Sequence, residues 1–94
     1  MARVRKHPGV LLRAELDERG MTANQLALAL RVPANRITGI LRGERSITAE
    51  TAVRLGRYLG TGPELWMNLQ ALHDISLVEA EKGRAIAAEV TVAS

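Results

Sequence analysis

The sequence has no cysteine and no phenylalanine, and only one tryptophan and one tyrosine among its 94 residues. Without cysteine the chain can form neither disulfides nor thiolate zinc sites, and its two histidines, His7 and His73, are far apart in the sequence. Because 47% of the residues are hydrophobic but almost none are aromatic, aliphatic side chains must fill the interior. These absences exclude a disulfide framework, argue against a metal or cofactor site, and favour packed helices.

Long apolar runs are also missing. No segment approaches the roughly 20 apolar residues that span a bilayer, and the basic first residues lack the apolar stretch of a signal peptide. We therefore expect a cytoplasmic protein with no membrane partner. The length suits one small domain, which we place at residues 1–83. Residues 84–94 stay unassigned, since their alanines suit a helix while the EVTV stretch suits a strand.

Charge is distributed unevenly along the chain. Residues 1–60 carry 11 Lys/Arg and 5 Asp/Glu, a net charge of +6, whereas residues 61–94 carry 2 and 5, a net charge of −3. A basic N-terminal part is typical of proteins that bind the phosphates of DNA or RNA. The first residues, with Arg3, Arg5 and Lys6, are expected to form a mobile basic arm that either reaches a minor groove or stays unbound.

Capping and breaking residues divide the chain into five helices, which predicts an all-α fold. Thr22 and Gln25 form a capping-box pattern at the start of the second helix, and Thr48 has the position of an N-cap. Pro33 forces a turn after the second helix and suits the first turn of the third. The first helix is placed at about residues 8–19, the second ends before a turn at residues 31–32, and the third runs to about Arg42. The fourth ends at Gly60, and Thr61, Gly62 and Pro63 signal the start of the fifth. The last is the longest and meets no breaker before Gly83, so its second half lacks cover from a domain of this size.

The segment from residue 22 to residue 45 has the pattern of a helix-turn-helix. A small residue, Ala27, a turn residue, Val32, and an apolar anchor, Ile37, follow one another at intervals of five, which lets two short helices approach closely. Any helical hairpin with a short loop could show this spacing. The positive charge of this region favours the DNA-binding motif.

Five stretches carry a resemblance to a known family: HPG at 7–9, NQLA at 24–27, VPANRI at 32–37, RGERSIT at 42–48 and RLGRYLGTGPELWMNLQ at 54–70. With them the chain resembles the phage-repressor-like (XRE) helix-turn-helix proteins and, among these, the HigA-type antitoxins of toxin-antitoxin modules. It departs from the family at Arg31, where the turn commonly has glycine, and at Ala23, where many relatives have glutamine. Both departures concern contact details and leave the predicted fold unchanged.

The resemblance implies a site on double-stranded DNA. In this fold the second helix of the motif enters the major groove, where Asn pairs with adenine and Arg with guanine. The predicted base contacts are Ala34, Asn35, Arg36, Thr38 and Gly39. Phosphates need cationic or donor groups near helix ends, and the predicted phosphate contacts are Thr22, Asn24, Gln25, Arg42, Arg45 and Ser46. Any of these side chains could instead be an ordinary solvated one.

Partners follow from the same resemblance. A single motif binds few phosphates, so we expect a homodimer on two half-sites, with an interface formed by Leu72, Ile75, Leu77 and Val78 unless these residues fold back into the core. HigA-type antitoxins imply repression of their own operon and binding of a RelE-like toxin that cleaves mRNA. The alternatives are a free-standing repressor without a toxin, and an interaction module that has lost DNA binding.

An enzyme is disfavoured. The nearest candidate group is His73, Asp74 and Ser76, but neighbouring helical residues point about 100° apart, so no catalytic relay can assemble and no catalytic residue is predicted. Leu65, Trp66 and Leu69 are predicted to lie in the core, with Trp66 fixing the fifth helix to the first or the fourth.

Overall fold

The structure, a computed structural model, describes residues 3–93. These residues form five helices and no strand: α1 (Pro8–Arg19), α2 (Ala23–Leu30), α3 (Ala34–Leu41), α4 (Ala49–Leu59) and α5 (Glu64–Glu89). The prediction of an all-α, five-helix fold is confirmed. Helix α3 packs on both α1 and α2, α4 packs on α2 and α5, and α1 also contacts α5.

The helices begin and end at the residues that the capping patterns indicate. The Thr22 hydroxyl accepts from the Gln25 N–H, and the Gln25 side chain accepts from the Thr22 N–H, which completes the capping box of α2. The Thr48 hydroxyl accepts from the Thr51 N–H and so caps α4. Gly20 and Gly60 end α1 and α4 in the left-handed conformation, where a residue without Cβ is not strained.

The core is aliphatic apart from one indole. Trp66 is fully buried, its Nε1–H donates to the Thr61 hydroxyl at 2.9 Å, and Leu69 packs against the same core. Leu65 is 38% exposed, so its prediction as a core residue was wrong. The remaining buried hydrophobic side chains are Leu12, Leu16, Leu26, Ala27, Leu30, Ile37, Ile40, Ile47, Ala52, Leu55 and Leu59.

Two glycines allow backbone segments to approach closely. A Cβ on Gly9, in the first turn of α1, would collide with the carbonyl of Ile40 in α3. A Cβ on Gly56, in α4, would collide with the Gly62 backbone in the α4–α5 connection. The absence of side chains at these positions lets α1 hold α3 and lets α5 fold back over α4.

Helix α5 extends beyond the compact part of the molecule. It continues through Gly83 to Glu89, and Val90 is extended, so six residues of the unassigned tail are helical. A glycine inside a helix costs only about 0.5–1 kcal/mol relative to alanine, and no proline stops the chain here. The far end of α5 is exposed and the molecule measures 50 × 23 × 21 Å. In residues 3–93 no helix is long and apolar enough to cross a membrane.

The basic arm is attached to α5 in this structure. The Arg5 N–H donates to the Ser76 hydroxyl at 2.8 Å, and the His73 Nδ1 lies 2.7 Å from the Arg5 carbonyl oxygen. The backbone of Arg5 thus lies against α5, whereas the sequence predicts a mobile arm; Met1 and Ala2 lie outside the described residues. The Arg3, Arg5 and Lys6 side chains are exposed.

Candidate nucleic-acid interface

Helices α2 and α3 form the helix-turn-helix. Ala27 and Ile37 are buried, Val32 packs against the core, and the Val32 N–H donates to the Ala27 carbonyl at 3.0 Å. Arg31, at the end of α2, has φ 61°, and among residues 3–93 no other non-glycine residue has a positive φ. A left-handed conformation costs a residue with a Cβ on the order of 1 kcal/mol, so the turn carries strain at Arg31.

The outer face of α3 carries the predicted base-reading residues. Ile37 and Ile40 turn inward, which leaves Asn35 exposed on the opposite side and Ala34 exposed at the edge of that face. The Asn35 side chain has no hydrogen bond within residues 3–93, so both its amide donor and its carbonyl acceptor face solvent. This arrangement suits bidentate recognition of an adenine.

Arg36 lies beside this face and is held by α4. Its Nη1 donates to the Glu50 Oε1 at 3.2 Å, and the Arg36 side chain is 26% exposed. The other carboxylate oxygen, Oε2, lies 3.6 Å from the Arg54 Nη2. Sequence reasoning missed this contact, because Glu50 follows Arg36 by 14 positions and no local pattern joins them.

Thr38 and Gly39 have roles inside the protein. The Thr38 hydroxyl donates back to the carbonyls of Ala34 and Asn35, so only its oxygen is free to accept. The Gly39 carbonyl accepts from the N–H groups of Glu44 and Arg45, and a Cβ on Gly39 would lie 3.2 Å from the Arg45 Cβ. Gly39 thus allows the following loop to fold onto α3, and its contact with a base stays a prediction.

The predicted phosphate-contacting residues occupy two exposed places beside α3. The first is the start of α2, where the leading backbone N–H groups have no acceptor within the helix and attract anions. The second is the loop after α3, where Gly43 has a φ of 73°. All six are exposed: Thr22, Asn24, Gln25, Arg42, Arg45 and Ser46.

Two side chains outside the motif support this loop. Gln70 is buried on α5, and its Oε1 accepts from the Ile47 N–H at 2.8 Å. Its Nε2 donates to the Asp74 carboxylate at 3.0 Å, which fixes the orientation of the amide. Sequence reasoning missed Gln70, because nothing in a glutamine on a helix indicates a partner 23 residues away.

His7 joins the loop to the start of α1. Its Nδ1 accepts from the Gly9 N–H at 2.9 Å and so caps α1, and its ring meets the His73 ring edge-on at a centroid distance of 5.0 Å. Burial lowers the pKa of His7, and positive charge on His73 lowers it further, while the Arg45 backbone and Asp74 act in the opposite direction. The capping role requires the neutral imidazole.

The predicted dimer residues do not share one face of α5. Leu72, Ile75 and Val78 are exposed by 42–53%. Leu77 is half-buried and lines the cleft that contains His7 and His73, about 140° around the helix from Leu72. Only the three exposed residues are available to a partner in this conformation.

The three residues considered as a catalytic group, His73, Asp74 and Ser76, form structural hydrogen bonds instead. The Ser76 hydroxyl donates to the His73 carbonyl at 2.7 Å and accepts from the Arg5 N–H, while Asp74 binds Gln70. Over residues 3–93, no three His, Asp or Glu side chains are grouped so that they could hold a metal ion. These side chains attach the arm and the loop to α5.

A family model described as helix-turn-helix matches residues 12–66, which include α2, the turn and α3. The chain belongs to the helix-turn-helix family. A curated relative, Virulence-associated protein I of Dichelobacter nodosus, is 46% identical over 77 residues that cover 81% of this chain and 71% of the relative.

Solved structures of this family superimpose on most of the chain. A HigA-family addiction module antidote protein from Coxiella burnetii is 48% identical, covers 97% of this chain and 100% of its own, and gives a TM-score of 0.93. The Pseudomonas aeruginosa antitoxin HigA, solved with the higBA promoter, is 40% identical, with coverage of 92% and 95% and a TM-score of 0.88. The predicted resemblance to XRE-type regulators and HigA-type antitoxins is confirmed.

Proposed function

We propose that this protein is a sequence-specific DNA-binding antitoxin that represses its own operon and neutralises a RelE-like mRNA-cleaving toxin. The observation that carries the DNA-binding part is the outer face of α3, where Asn35 is exposed between two sets of phosphate-binding candidates. The likeness to a HigA antitoxin solved with promoter DNA supports it. Asn35 and Arg36 contact base edges, and the α2 start and the α3–α4 loop contact phosphates.

The first experiment is a footprint and a salt-dependent gel shift on the DNA upstream of the gene. Protection of two half-sites about one helical turn apart supports a homodimer on an operator. Binding that does not depend on salt, or that is equal on unrelated DNA, contradicts sequence-specific recognition. The alternative of an interaction module without DNA binding predicts no shift on any duplex.

The homodimer uses the exposed aliphatic residues of α5. Leu72, Ile75 and Val78 recur at intervals of three along the outside of the helix, beyond the part that Trp66 anchors. Burial of three such side chains in a symmetric interface removes apolar surface from water on both copies. Sedimentation equilibrium at micromolar concentration measures the dimer directly.

The toxin contact lies toward the far end of α5. Residues 79–89 are helical but have little intramolecular cover, and they carry three carboxylates, Glu79, Glu81 and Glu89, alongside the cations Lys82 and Arg84. Residues 61–94 as a whole have a net charge of −3, which complements a basic RNA-cleaving protein. Co-expression with the product of an adjacent small gene tests this, and the absence of such a gene favours a free-standing repressor.

A further inference from the structure

An ion pair joins Arg36 in α3 to Glu50 in α4. The Glu50 carboxylate bridges two guanidinium groups, with one oxygen 3.2 Å from the Arg36 Nη1 and the other 3.6 Å from the Arg54 Nη2. The Glu50 side chain is 63% exposed, whereas the Arg36 side chain is the least exposed of the three. The guanidinium that is expected to contact DNA is thus already bound to an anion of the protein.

Glu50 is itself held in place. It lies in the first turn of α4, where the helix dipole favours a carboxylate. Arg54 follows one turn later, and its Nη1 donates to the Leu30 carbonyl at the end of α2 at 2.9 Å. Arg54 is thus bound to α2, and it remains beside the Glu50 carboxylate as a second cationic partner when Arg36 moves away.

We infer that Glu50 is a specificity-determining residue. It keeps Arg36 in the ion pair when the protein binds unrelated DNA, and it releases Arg36 only to a base that is a better acceptor. This inference rests on the proposed function, in which Arg36 contacts a base. A single phosphate oxygen only replaces the Glu50 contact, and the uncovered carboxylate then faces the phosphate backbone. A guanine offers two acceptors, O6 and N7, in the geometry of the guanidinium, so its two hydrogen bonds outweigh the lost ion pair with Glu50.

The consequence is that Glu50 lowers binding to unrelated DNA more than binding to the operator. Exposed ion pairs correspond to about a 1.4- to fivefold change in an equilibrium constant. Glu50→Gln keeps the size of the side chain but removes the charge. It should raise affinity for unrelated duplex by about this factor, change affinity for the operator less, and so reduce the ratio between them.

The salt dependence supplies a second readout. When Arg36 is released and contacts a phosphate on unrelated DNA, one more counterion is displaced, so the slope of log K against log salt becomes steeper by about 0.9. Glu44→Gln is the matched control, because Glu44 lies exposed in the α3–α4 loop and forms no ion pair within residues 3–93. It removes the same charge and leaves Arg36 bound.

The experiment measures fluorescence anisotropy of the full chain with promoter duplex and with scrambled duplex. Both Glu→Gln variants are tested in the native background and in Arg36→Ala, after circular dichroism has verified that each is folded. The inference predicts that Glu50→Gln raises affinity for the scrambled duplex more than Glu44→Gln does. This difference should be present in the native background and absent in the Arg36→Ala background. Equal effects of the two Glu→Gln variants in both backgrounds overturn the inference and leave the proposed function intact. If Arg36→Ala leaves discrimination unchanged, both the base contact and the inference are wrong.

Discussion

The contact between α1 and α3 predicts that glycine-to-alanine substitutions at two helical positions change stability in opposite directions. Gly9 and Gly83 both lie inside helices, at the start of α1 and near the end of α5. A Cβ at Gly9 collides with the Ile40 carbonyl, which is backbone and cannot rotate away. A Cβ at Gly83 meets only the Glu79 Cβ, at an ordinary distance of 3.9 Å.

The magnitudes follow from these surroundings. Replacing a helical glycine by alanine in open space stabilises by about 0.5–1 kcal/mol, which is the expected gain in unfolding free energy for Gly83→Ala. Overpacking against a fixed neighbour costs about 1–3 kcal/mol, which outweighs that gain at Gly9. We therefore expect Gly9→Ala to be less stable than the native protein and Gly83→Ala to be more stable.

Urea denaturation followed by circular dichroism measures both variants. Protein concentration must be the same in all samples, because the proposed dimer would contribute to the apparent stability. In thermal scans of a domain this small, each 1 kcal/mol shifts Tm by about 4–8 °C, so the two changes are well resolved. If Gly9→Ala is as stable as the native protein, α1 does not hold α3 through this contact.

Three further predictions concern the supports of the site. His7→Asn keeps an N-cap but does not titrate. Because burial lowers the pKa of His7, the stability of the native protein should decrease as pH falls below the ordinary histidine pKa of about 6.5. This loss of stability should be smaller in the variant, and an equal loss would contradict the capping role. Gln70→Ala leaves the buried Ile47 N–H without its acceptor and should cost about 1–3 kcal/mol in urea denaturation; an unchanged midpoint would show that the loop does not need this contact. Ile75→Glu should shift the sedimentation equilibrium to monomer, whereas Val10→Glu, at the same 53% exposure, should not; equal effects would place the interface elsewhere.

Local signals made the helices of this fold predictable. The Thr22 capping box, the Thr48 cap and the prolines act within one helical turn, so the sequence reveals them directly. The end of α5 was harder to predict, because the penalty of Gly83 is small and the surrounding residues favour a helix. The local sequence does not show whether the helix-breaking tendency of Gly83 or the helix propensity of its neighbours prevails.

The contacts that position the site could not be predicted in this way. Gln70 reaches Ile47 across 23 residues, and Arg5 reaches Ser76 across 71. Such pairs depend on how the helices pack, and the residue types involved occur equally well as solvated side chains. The sequence therefore supplied a prediction of the residues that contact DNA, but it did not indicate that Arg36 is bound by Glu50 or that α5 holds the loop.

Base discrimination by α3 is tested most directly by comparing Arg36→Ala with Arg42→Ala on promoter and scrambled duplexes. Arg36→Ala should reduce the preference for promoter DNA by about 5- to 150-fold, the range for loss of a bidentate base contact. Arg42→Ala should weaken binding to both duplexes by a similar factor and reduce the salt slope by about one, because it removes a phosphate contact. Equal loss of preference in both variants, or none in either, would contradict the assignment of α3 as the helix that recognises the operator.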